Sequence, residues 1–180
     1  MVRPPMKLSW KLCALLALLL NSAHAGDPSP DQRLAALGLT LPAVPASVAN
    51  YVPAVRSGHL VFLAGQIARG SDGKIIAGKV GRDCTAAEAA AAARTCALQL
   101  LAALKAEIGD LARVKRIVRV GGFVNCTPDF TAQPQVINGA SDLLVAVFGE
   151  RGRHARAAVG VASLPAGAPV EIELVAEIMD

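Results

Sequence analysis

The stretch "HARAAVGVASLPAGAPVEIELVAEI", residues 154–178, holds two runs of small and branched apolar residues around a Leu-Pro-x-Gly turn. Each run reads as a strand, because branched side chains fit a pleated surface and the Pro-Gly segment interrupts it. Each also carries an isolated charge, Arg156 in the first and Glu171 in the second. A charge taken out of water is costly unless something pairs with it. Strand side chains alternate, so Arg156 shares a face with Ala158 and Gly160, whose small size leaves room beside the guanidinium. That planar fork can hold a carboxylate through two parallel hydrogen bonds. An arginine paired with an acid, or turned to solvent, is the plain structural alternative. If "LPAGAP" closes a simple hairpin, Glu171 lies opposite about residue 162. Arg156 is then roughly 20 Å away, at about 3.3 Å per residue. One small ligand could then meet both charges only if they came from different subunits.

Working outward, "QVINGASDLLVAVFGE" reads as a helix weakened by Gly139. "RVKRIVRVGGFVN" alternates charged and branched residues, giving a strand with one dry and one wet face. Thr85 with Glu88 three residues on forms a capping box, which opens a helix from about Ala86 to Glu107, and Gly109 ends it. Ala90, Ala93, Ala97, Leu100, Leu101 and Leu104 form its apolar face. "VPAVRSGHLVFLAGQIA" reads as a hairpin turning at Ser57-Gly58. A short helix starts at Ser29 and Pro30 and stops at Gly38. The order β-β-α-β-α-β-β predicts an α+β layer, with both long helices on one face of the sheet.

The N-terminus predicts export. Arg3, Lys7 and Lys11 precede the apolar run "LCALLALLL", and Ala23-His24-Ala25 has the small-x-small pattern of a cleavage site. Residues 1–25 are read as a signal peptide cleaved after Ala25, 26–47 as a linker with the short helix, and 48–180 as the domain. An uncleaved membrane anchor is the alternative, although the run is short of the roughly 20 residues a span needs. The expected location is periplasmic or secreted, with no membrane association after cleavage. Without the three basic residues of the signal, 15 Lys and Arg face 14 Asp and Glu, so the mature chain is near neutral. That argues against nucleic acid as a partner, which calls for a clustered basic face. Cys84, Cys96 and Cys126 remain, either as one disulfide and a thiol or as three thiols. The sequence has no Cys-x-x-Cys and no histidine cluster, and no metal site is expected. His59 and His154 are read as surface or packing residues.

Four stretches in order carry a family resemblance: "NYVPAVRSGHLVFLAGQI", "GFVNCTPDF", "VINGASDLLVAVFG" and "ARAAVGVASLPAGAPVEIELVA". Together they resemble the Rid family, also called YjgF-like or L-PSP endoribonuclease-like, over residues 48–178, and in particular its longer, poorly characterised branch. The resemblance implies a chorismate-mutase-like fold with a mixed β-sheet, a homotrimer and ligand sites between subunits. It implies hydrolytic deamination of 2-imino or 2-enamino acids with no cofactor. It makes Arg156 the clamp for a ligand carboxylate and Glu171 the residue that positions the attacking water. It makes Tyr51, Gly65 and Asn138 pocket residues. Two positions depart from the family pattern. Ala64 stands where a Ser or Thr is usual, and Ala158 where a Cys is usual, so the pocket lacks a hydroxyl and a thiol. A non-catalytic pocket for small carboxylates or 2-oxo acids is the alternative function.

Overall fold

The computed structural model describes residues 27–44, 49–70 and 72–180. Residues 1–25, read above as a signal peptide, and the expected cleavage point lie outside the described residues.

Helix α1, Pro30–Ala36, opens as expected: the Ser29 side chain accepts from the Gln32 N–H, and the Gln32 side chain accepts from the Ser29 N–H. Its Leu34 is buried in the common core. Asp31 accepts from Lys105 at 2.8 Å. An exposed pair of that kind contributes little, so α1 is held mainly by Leu34.

Strands β1 (Ala54–Ser57) and β2 (Leu60–Ile67) form the hairpin. Ser57 pairs with Leu60, so the two turn residues are Gly58 and His59, one position later than the sequence suggests. Gly58 has a φ of 60°, which glycine adopts without strain. Helix α2 (Ala86–Ile108) carries the Thr85–Glu88 capping box, with Gly109 at its end. Strand β3 (Val114–Asn125), helix α3 (Gln133–Phe148), strand β4 (Ala155–Val161) and strand β5 (Val170–Ile178) follow.

The five strands lie in the order β1-β2-β5-β3-β4. This corrects the hairpin expected for the last two strands. β4 runs parallel to β3 at the sheet edge, and β5 inserts antiparallel between β3 and β2. The physical reason lies in β5 itself. Val170, Ile172, Leu174, Ala176 and Ile178 are all buried, a continuous apolar row that belongs in the sheet centre under α2. β4 is small and largely exposed, and suits an edge.

The sheet is mixed, and both long helices cover one face, α2 over β2 and β5, α3 over β3 and β4. Gly139 explains itself here. A Cβ at that position would collide with the Ala90 carbonyl oxygen, so the glycine lets the α2 and α3 backbones touch. A Cβ on Gly122 of β3 would run into the Ile137 side chain, so this glycine makes room for α3 against the sheet.

Candidate functional site

Arg156 stands in register with Val120, whose side chain faces the helices. The guanidinium therefore lies on the helix side of edge strand β4, against α3. Its Nη1 donates to Asn138 Oδ1 at 2.8 Å and to Ser141 Oγ at 3.1 Å. Asn138 and Ser141 are three residues apart and so share one helix face. Both acceptors are neutral, and among the described residues Arg156 makes no ion pair. The room expected beside it is only half there. Ala158 is small and partly buried, but the space over Gly160 is taken by Cys126 Sγ and Gln133 Nε2, each 2.9 Å from where a Cβ would stand.

Glu171 belongs to the opposite row of β5, alternating with buried Val170 and Ile172. It lines a cavity of about 550 Å³ with Tyr51, Gly65, Gln66, Gln99 and Ala166. β2 bulges between Leu63 and Gln66, and a Cβ on Gly65 would overlap Glu171 Oε1. The missing side chain is what lets the carboxylate lie across the strand. Burial, and secondarily the charge of Glu173, push the Glu171 carboxyl above its usual range. A carboxylate so raised is better suited to take a proton near neutral pH. Tyr51 is half exposed at the rim.

Gln99 was not singled out in the sequence. Its Oε1 is buried with no hydrogen-bond partner among the described residues, and the residue lines the same cavity. An unpaired buried acceptor costs free energy, and a ligand N–H or a water can relieve that cost. The available signal was one polar residue inside the apolar run "CALQLLAAL".

The structure therefore gathers the expected residues into two groups. Tyr51, Gly65 and Glu171 share the cavity; Asn138 and Arg156 share the α3–β4 edge. Val159 of β4, Phe123 of β3 and Glu171 lie in one cross-strand line. Arg156 is three residues from that line and two strands over, about 14 Å between Cα atoms. The roughly 20 Å expected for a hairpin is replaced by this shorter span, with the two side chains on opposite faces. One chain still does not present both to one small ligand.

Among the described residues the three cysteines are free, with Cys96 and Cys126 buried and Cys84 partly so. Burial pushes the Cys96 and Cys84 thiols up, away from the thiolate that would react. The basic side chains of β3 are paired: Lys115 with Glu177 at 2.7 Å and Arg119 with Glu173 at 2.6 Å.

Comparison with known proteins adds four findings. A family model described as "YjgF/chorismate_mutase-like, putative endoribonuclease" matches residues 31–178. Protein TCP17 of Trypanosoma cruzi is 50% identical over 143 residues, 79% of this chain and 89% of that protein. The solved structure of Atu1372, a protein of unknown function from Agrobacterium tumefaciens, is 49% identical. It superposes with a TM-score of 0.78 over 83% of this chain and 92% of its own. RidA of the Antarctic bacterium Psychrobacter is more distant, at 27% identity and a TM-score of 0.54 over 75% of this chain and 94% of its own.

Proposed function

The chain belongs to the YjgF/chorismate-mutase-like family, and from that membership we propose that it is a cofactor-independent deaminase of 2-imino acids. The observation that carries the reading is the state of Arg156. Two neutral acceptors hold its Nη1, no carboxylate neutralises it, and its Nε and Nη2 have no hydrogen-bond partner among the described residues. That is the geometry of a fork waiting for an anion.

Arg156 binds the ligand carboxylate with its remaining N–H groups, while Asn138 and Ser141 fix the plane of the fork. Glu171 of an adjoining subunit takes a proton from a water. The oxygen adds to the C=N carbon, Glu171 returns the proton to the nitrogen, and a carbinolamine forms. Proton transfer from its hydroxyl to the nitrogen then releases ammonia and leaves the 2-oxo acid. Positioning with one general base supplies roughly 100- to 10,000-fold, enough for imines that already hydrolyse in water. The opposite orientation of the two charges within one chain supports sites shared between copies. A homotrimer supplies such sites, and the exposed cross-strand row of Val55 and Phe62 on the open sheet face supports burial there. On this reading the protein acts outside the cytoplasm, after removal of residues 1–25.

The test is hydrolysis of 2-iminopropanoate, generated in situ. Arg156→Ala is expected to lose at least 100-fold of the acceleration with an unchanged thermal midpoint; unchanged turnover removes Arg156 from the mechanism.

A second reading, a binding pocket without turnover, is favoured by Ala64 in the cavity and Ala158 on the Arg156 strand, which leave no hydroxyl or thiol at either position. A thermal shift with pyruvate but no acceleration of imine hydrolysis selects it. RNA cleavage has less support, because the β3 basic residues are spent on Glu173 and Glu177.

A further inference from the structure

Behind Arg156 lies a second layer that the reaction above does not use. His154 Nδ1 is 2.7 Å from the Gly152 carbonyl oxygen, and its Nε2 is 3.0 Å from Ser141 Oγ. A carbonyl only accepts, so Nδ1 carries the hydrogen, and the neutral ring presents a lone pair at Nε2. The Ser141 hydroxyl donates to that lone pair. Its own lone pairs are then directed at Arg156 Nη1, 3.1 Å away. Burial holds the imidazole pKa below its ordinary value, the bond to Gly152 opposes this, and the Arg156 charge adds to the lowering. The ring is therefore neutral at neutral pH, the form this chain of bonds requires.

We propose that His154, acting through Ser141, is a positioning residue for Arg156. By taking the serine hydroxyl hydrogen, the imidazole turns an ambivalent hydroxyl into a committed acceptor. With Asn138 Oδ1 on the same nitrogen, the guanidinium is held by Nη1 alone, and its Nε and Nη2 stay available to the ligand. Without the imidazole, the hydroxyl hydrogen is free to rotate toward the guanidinium and cancel the contact. The order of bonds is Gly152, His154, Ser141, Arg156, so the two side chains act in series. The proposal rests on Arg156 being the carboxylate clamp, and it assigns work to a histidine that the sequence pattern placed among packing residues.

The first test needs no ligand. In ¹⁵N NMR of the free protein, a guanidinium pinned at Nη1 rotates slowly about Nε–Cζ and shows distinct Nη signals. The wild type and His154→Gln, whose side-chain oxygen can accept from Ser141, are expected to show them. His154→Phe and Ser141→Ala are expected to average them. The second test is KM for 2-iminopropanoate, or Kd for pyruvate. His154→Phe is expected to weaken either about tenfold, the scale of one hydrogen bond to a charged group, with kcat and the thermal midpoint nearly unchanged. His154→Gln is expected to restore it. His154→Phe added to Ser141→Ala is expected to cost nothing more, because the bonds are in series. Averaged Nη signals in the wild type, distinct signals in His154→Phe, or additive losses in the double variant each overturn the proposal. If Arg156→Ala leaves both constants unchanged, the clamp reading fails instead, and the NMR series still decides the Ser141–His154 relation.

Discussion

Glu171 and Gly65 illustrate how much of the site depends on a single missing side chain. Gly65 was named as a pocket residue only through the family resemblance, and its role became clear when Glu171 was seen lying across it. The raised carboxyl has a consequence for stability. A folded-state pKa above the ordinary 4.5 means the native protein holds its proton more tightly than the unfolded chain. Stability is then lost as pH rises from that ordinary value through the raised one. Glu171→Gln removes the cost. The variant is expected to melt at a higher temperature than wild type at pH 7 to 8, with the gap closing below about pH 4. It is also expected to lose imine hydrolysis, and wild-type turnover should fall on the acid side at a pH above the usual carboxylate range. A thermal midpoint series against pH, beside the rate profile, checks both signs. Arg156 was singled out in the sequence by its small neighbours, of which only Ala158 leaves room beside it. Its partners Asn138 and Ser141 became joint only through the α3 surface, and Gln99 and His154 looked ordinary because their meaning lies in what they face.

At the scale of elements, most boundaries followed from local chemistry. The N-cap at Ser29, the capping box at Thr85 and the apolar face of α2 appear where the residues put them, whereas the expected alternation of β3 is broken by two register shifts and by the consecutive buried residues Val120, Gly121 and Gly122. Gly139 is the informative exception. Helix propensity alone says that Gly139→Ala should stabilise α3 by about 1 kcal/mol. The new Cβ, however, would run into the Ala90 carbonyl of α2, and overpacking of that kind costs about 1–3 kcal/mol or more. The clash is against backbone, which yields less readily than a side chain, so it wins. Gly139→Ala is expected to lower the denaturant midpoint at an unchanged slope; a raised midpoint would mean that α2 and α3 move apart freely. The hairpin expected from 154–178 failed at this same scale. A turn signal between two strands states that the chain reverses, and does not state which strand it pairs with. β5 crosses the end of β3 because its buried row needs the sheet centre.

For the whole molecule, the opposed faces of Arg156 and Glu171 lead to a complementation experiment. In the proposed homotrimer, Arg156→Ala and Glu171→Gln are each expected to be inactive. When the two are co-refolded, a site that takes its arginine from one variant and its acid from the other is complete. In a random trimer with head-to-tail sites, about one site in four is of that kind, so about a quarter of wild-type turnover should return. Recovery absent from a mixture shown by mass to contain hetero-trimers would place both residues in one subunit's site. Light scattering that gives a monomer would remove the shared site altogether.

The sequence by itself determined the elements, their order, the α+β layering and the identity of the two charges, because caps, turns and hydrophobic periodicity act over a few residues. Tertiary structure alone decided the strand order, the side of the sheet each charge takes, the carboxylate lying over Gly65, the orphaned Gln99 oxygen and the chain of bonds behind Arg156. Those depend on contacts between different elements, from a dozen to over a hundred residues apart in sequence, where packing of the whole core chooses among pairings that local chemistry leaves equivalent.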